Sequence, residues 1–127
     1  MLPFERFKAW RLCHQLVIQV YRVTSGFPTT ERYGLVSQMR RAAFSAAANI
    51  AEGSAKRGER EFRRYLDISL GSSSELAYAL KLARDINVLA ETDYRRLNRL
   101  RNHAGTLTWK LHQSHAADVD HFGTCLG

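Results

Sequence analysis

The sequence predicts an all-α protein, an antiparallel up-and-down four-helix bundle, and three observations carry that prediction. Apolar residues recur at spacings of three and four along four segments, which is the period of an α-helix. Short turn signals separate the segments. The only prolines are Pro3 and Pro28, so no proline interrupts the chain after residue 28. At 127 residues the chain is one domain with enough surface to bury a core of its own.

The first helix is predicted over about 5–24. Phe7, Trp10, Cys13, Leu16, Val17, Val20 and Tyr21 form its apolar side, and Lys8, Arg11, Gln15, Gln19 and Arg22 its polar stripe. It stops at Ser25-Gly26-Phe27-Pro28, where glycine suits a left-handed cap and proline cannot continue. The second helix spans about 30–52, with Thr29 or Thr30 as N-cap and Gly53-Ser54 as the stop. The third spans about 58–88. Its seam is Phe62, Leu66, Ser69, Ser73, Leu76, Leu80 and Ala83, a heptad pattern with two serines in it. The fourth spans about 92–114 on a seam of Leu97, Leu100, Ala104, Leu107 and Leu111. Residues 1–115 make the bundle. From Ala116 the pattern dissolves, and 116–127 reads as a loose tail. Short connections make sequential helices antiparallel neighbours.

The second helix nearly lacks a polar face. Leu35, Met39, Ala42, Ala46 and Ile50 share one side, while Phe44, Ala48 and Ala51 lie opposite. A helix apolar all round is a buried helix, and a bundle this small cannot enclose one of its own members. A second copy of the chain is the expected cover. Tyr78 on the third helix and Trp109 on the fourth also sit off their seams. Phe44, Ala48, Ala51, Tyr78 and Trp109 are therefore the candidate oligomer interface. Polar residues expected toward the bundle interior accompany these faces: Gln38, Ser45, Asn49 and Glu52 on the second helix, and Ser69, Ser72, Ser73 and Glu75 on the third. The small residues of Gly71-Ser72-Ser73-Ser74 would let two helices approach closely.

Net charge is +7 and fifteen of the nineteen basic residues are arginine. Arginine forks match phosphates, and phosphate neutralisation drives sequence-independent binding. The densest basic run is 56–64. With Arg40 and Arg41 upstream it gives a candidate nucleic-acid surface of Arg40, Arg41, Lys56, Arg57, Arg60, Arg63 and Arg64. Glu59 stands four residues before Arg63 and could pair with it. Arg95, Arg96, Arg99 and Arg101 form a second basic cluster with no acid among them.

Enzyme chemistry is not expected. No nucleophile, base and oxyanion group gather in the seams, and no Gly-rich phosphate loop is present. His112 and His115 lack a carboxylate or cysteine at ligand spacing, so neither a metal nor a cofactor is expected. Cys13 and Cys125 form no disulfide framework, which points to a reducing, cytoplasmic setting. Residues 1–10 have no apolar signal core, and no segment is apolar for long enough to span a membrane.

Several blocks occur in order: Phe27-Pro28; Glu31-Arg32-Tyr33-Gly34-Leu35; Gln38-Met39-Arg40-Arg41-Ala42-Ala43; Ser45 followed by Asn49-Ile50-Ala51-Glu52-Gly53; Glu61-Phe62 with Tyr65-Leu66; and Gly71-Ser72 with Glu75-Leu76. On these blocks the chain resembles the 23S rRNA intervening-sequence proteins over about 7–111. It departs from them at Ala47, where relatives often carry proline. The resemblance implies a four-helix bundle assembling into a ring, of five subunits, without catalytic residues. It also implies a kinship with the accessory variability proteins of diversity-generating retroelements, whose partners are nucleic acid and a reverse transcriptase. The combined expectation is a non-enzymatic basic oligomeric scaffold binding RNA or DNA through phosphates. The alternative is a protein–protein interaction scaffold with no nucleic-acid role.

Overall fold

A computed structural model describes the backbone of residues 1–126 and the side chains of residues 1–115. Four helices form a bundle: α1 (Lys8–Thr24), α2 (Ser37–Ser54), α3 (Glu59–Asp85) and α4 (Glu91–Leu126). Contacts run α1 to α2, α2 to α3, α3 to α4 and α4 back to α1, so sequential helices enclose the core as a square. No strand occurs among the described residues. The expected loose tail over 116–127 lies outside the described side chains.

The periodic residues become the core. One half gathers Leu16, Val20, Met39, Leu76, Leu80 and Leu97. The other gathers Cys13, Ala46, Ile50, Phe62, Leu66 and Ala104. The α3 seam is buried throughout, its serines included. Ser69 of the seam and Ser72 beside it are satisfied across the α2–α3 contact. Ser69 Oγ donates to the Ala46 carbonyl at 2.7 Å, and Ser45 and Ser72 share a hydroxyl–hydroxyl bond at 2.7 Å. Asn49 Nδ2 donates back to Ser45 Oγ at 3.0 Å. Buried polar atoms paired in this way fix which turn of α2 faces which turn of α3.

The helix ends differ from expectation for identifiable reasons. Phe7 is extended (φ −86°, ψ 122°), which detaches a 3-10 turn over Pro3–Arg6 from α1. Its ring lies 5.5 Å from that of Phe62. Gly26 does not adopt the left-handed cap: the chain leaves α1 through tight turns, with Gly26 N–H donating to the Val23 carbonyl. Neither Thr29 nor Thr30 caps α2. Thr29–Glu31 form a 3-10 turn and Arg32–Val36 a π-turn, and Gly34 breaks helical geometry at φ −101°, ψ −107°. Regular α2 therefore begins at Ser37.

Gly53 lies inside α2 rather than stopping it. A Cβ there would come within 2.7 Å of Tyr65 Cβ and 2.9 Å of Phe62 Cδ1. Glycine is what lets α2 and α3 close at this end. Of the small residues expected to let helices close, Ser72 is buried against Ser45 of α2, whereas Gly71 faces open space. The α2–α3 connection instead relies on Gly58, at φ 89°. α3 ends three residues early because Asn87 turns left-handed (φ 63°), and Val88 N–H bonds back to the Ala83 carbonyl at 2.9 Å. That is a Schellman-type closure built on asparagine instead of glycine.

Candidate functional site

The α2–α3 corner is where unpaired positive charge collects. Only Ala55–Gly58 separate the two helices, so Lys56, Arg57, Arg60, Arg63 and Arg64 share one end of the bundle. Lys56 Nζ and Arg64 Cζ lie over the Tyr65 ring, 5.6 Å and 5.1 Å from its centroid. Arg64 also reaches Glu61 at 3.6 Å, a loose exposed pair. Among the described residues no carboxylate lies within ion-pair distance of Lys56, Arg57, Arg60 or Arg63. Glu59 does not serve Arg63: it faces His115 of α4.

Arg40 and Arg41 do not join this corner. Arg41 sits thirteen residues before the end of α2, about 20 Å along the axis. It pairs with Glu75 of α3 and donates to Gln38 at 2.9 Å. Arg40 turns to α1, where its Nε donates to Thr24 Oγ1 at 2.9 Å and its guanidinium covers the Tyr21 ring at 4.4 Å. The seven cations expected as one surface thus divide into five at the corner and two that tie helices together. Sequence reasoning missed Lys8 and Lys110. These line a groove of about 270 Å³ with Phe7, Leu107 and Leu111, at the same end of the bundle as the corner. The antiparallel topology, which puts the start of α1 beside the end of α2, was the signal for them.

The second basic cluster is also divided. Arg95 pairs with Glu91 and Arg96 with Asp93, each at 3.1 Å, and Arg96 also donates to Gln19 of α1. Arg99 is exposed. Arg101 turns inward toward α3. Its Nε donates to Asn98 Oδ1 at 3.1 Å and its Nη1 reaches Ser73 Oγ only at 3.5 Å. Burial pulls its pKa below the ordinary arginine value. It lies in an open groove of about 480 Å³ between α3 and α4, with Leu70, Ser73, Ser74, Asn102 and Trp109.

The expected interface residues fall on separate faces. Phe44 is 61% exposed and, with Ala48 and Ala51, lines a groove of about 420 Å³ whose other wall is Phe4, Trp10, His14 and Val17. Trp109, 52% exposed, belongs to the α3–α4 groove on the opposite side of the square. Tyr78, 67% exposed, projects from α3 outside both grooves. Cys13 is buried, and burial pushes its thiol pKa up to about 11. Among the described residues no group of three or more His, Cys, Asp or Glu is placed to hold a metal ion, and no helix is long and apolar enough to cross a membrane.

No curated protein matches the chain. Among solved structures, it is similar to a protein of unknown function from the S23 ribosomal protein family of Bacteroides thetaiotaomicron. The TM-score is 0.77 at 17% identity, covering 83% of this chain and 95% of that one. At that identity the likeness establishes the helical fold alone. Sequence supplies the family: the profile described as 23S rRNA-intervening sequence protein matches residues 5–109, and the chain belongs to that family.

Proposed function

We propose that this protein is a non-enzymatic basic scaffold that assembles with copies of itself and binds RNA or DNA through phosphates. The observation that carries the reading is the α2–α3 corner, where Lys56, Arg57, Arg60 and Arg63 have no carboxylate partner among the described residues. Three arginines outside the corner, Arg41, Arg95 and Arg96, are by contrast neutralised by neighbouring carboxylates. Cations left without acids are free to neutralise phosphates. Membership of a family named for intervening sequences of 23S rRNA supports RNA as the first nucleic acid to try.

Self-assembly rests on the Phe44 groove. A second copy covering it would remove from water the apolar surface that the bundle leaves open there. A ring of five subunits is the assembly that the family resemblance suggests.

The test is binding to a structured RNA at 50 and 200 mM salt. If five cations each neutralise about one phosphate, that rise in salt weakens binding by about 500-fold. An Arg63→Glu/Arg64→Glu double change should weaken it further at low salt. Absence of binding, or binding indifferent to both salt and charge reversal, would overturn the reading. Capture of one protein, insensitive to nuclease, would replace it with a protein-binding scaffold.

A further inference from the structure

The α3–α4 groove combines two features on one surface. The first is an arginine held half out of water with most of its donors unspent. A guanidinium carries five N–H donors. Arg101 gives one to Asn98, makes a long contact to Ser73, and has no carboxylate within ion-pair distance among the described residues. The hydroxyls of Ser73, Ser74 and Thr106 and the amide of Asn102 line the same groove. The nearby acids of α3 are occupied elsewhere: Asp67 by His112 and Glu75 by Arg41.

The second feature is a braced aromatic surface. Trp109 and His112 stack with ring planes 6° apart and centroids at 5.6 Å. His112 Nε2 is in turn held at 3.0 Å by Asp67 Oδ1 of α3. One face of the indole is backed by His112, and the ring is still half exposed on the groove. An indole pinned in this way has little conformational freedom left to lose when a flat ring stacks on it.

Arg101 and Trp109 are eight residues apart on α4, about 12 Å of helix rise. That span is too long for a free phosphate to bridge. It suits a stretch of about two nucleotides, whose backbone and bases reach both ends. Duplex bases are already stacked and cannot be offered to an indole, whereas unpaired bases can.

We propose that this groove binds unpaired nucleotides, with a phosphate on Arg101 and a base stacked on the open face of Trp109. The inference rests on the nucleic-acid reading above and narrows it to single-stranded segments, such as loops of a structured RNA.

The test follows tryptophan emission and anisotropy together as a labelled uridine 12-mer is added to the full-length protein. A duplex of equal length, inorganic phosphate and a polyglutamate peptide serve as comparisons. A Trp10→Phe variant leaves Trp109 as the only tryptophan, and a Trp109→Phe variant is the converse control. The single strand should quench Trp109 saturably, and duplex, phosphate and peptide should not. Arg101→Gln should weaken that quench by about tenfold while Arg101→Lys weakens it less, since a lysine keeps the charge and loses the fork. Anisotropy that rises with Trp109 silent would overturn this inference and leave the corner reading standing. No anisotropy change with any nucleic acid would overturn both. Equal quenching by polyglutamate would reduce the groove to a general anion site and overturn the inference. So would a Trp109→Phe protein of altered subunit number by light scattering, since the indole would then belong to a subunit contact.

Discussion

Gly53 and Gly71 both lie within helices, and their surroundings give them opposite consequences. At Gly53 an added methyl meets Tyr65 Cβ at 2.7 Å, an atom fixed to the α3 backbone that cannot swing aside. The helix-propensity gain from alanine is about 1 kcal/mol, and overpacking at a rigid contact costs about 1–3 kcal/mol. Gly53→Ala should therefore lower the thermal midpoint, whereas Gly71→Ala, facing open space, should raise stability by about 0.5–1 kcal/mol. Paired thermal denaturation checks the contrast. The sequence marks both positions as punctuation. It suggested a helix stop at the first and a close approach at the second, because what stands opposite a glycine is a tertiary fact.

Cys13 offers a second test at this scale. Its thiol is pushed by burial from 9.0 up to about 11, against a smaller lowering by the Thr108 hydroxyl. The folded value exceeds the unfolded one, so this contribution is complete below pH 9 and lost as pH rises from there through 11. About 2–3 kcal/mol is at stake. Denaturant titrations from pH 8 to 11 should show that loss, and Cys13→Ala should remove its share of the slope. At pH 8 a thiol reagent should label Cys13 only on unfolding.

At the scale of elements, seams were legible and ends were not. Phe62, Leu66, Ser69, Ser73, Leu76, Leu80 and Ala83 are all buried, because period alone decides which side of a long helix faces inward. The close of α3 at Asp85 escaped notice because the left-handed residue is Asn87, and asparagine carries a weaker stop signal than glycine. Asn87→Ala should cost roughly 1 kcal/mol, since a methyl-bearing residue resists φ 63° without the compensation of a short polar side chain. Asn87→Gly should be neutral or stabilising in the same urea titration. Between α2 and α3, the bond between Ser45 and Ser72 should appear as a coupling of about 0.5–1.5 kcal/mol in a double-mutant cycle to alanine. Independent effects of the two changes would mean that the hydroxyls do not depend on each other.

Across the whole molecule, the candidate site was half legible. Counting arginines along the chain found the corner. It placed Arg40 and Arg41 upstream on α2 but could not show that they are engaged by Tyr21 and Glu75, or that Lys8 and Lys110 lie at the corner's end of the bundle. Charges adjacent in sequence separate when a helix turns them to different neighbours. The apolar side of α2 was legible as a surplus, since Phe44 had no place in any seam, and the structure gives it a groove with α1. Phe44→Glu should yield single subunits by light scattering at micromolar concentration if a copy occupies that groove. An unchanged mass would mean that the phenylalanine simply faces water.

The four-residue connection between α2 and α3 also bears on how fast the proposed nucleic-acid partner would arrive. Cations crowded beside so short a link project their field beyond the end of the bundle, to roughly 8 Å at physiological ionic strength and about 30 Å in dilute buffer. A polyanion diffusing nearby is turned toward that tip before any contact forms. Raising salt should therefore slow association more steeply than it hastens departure, and stopped-flow mixing at two ionic strengths would separate the two rates.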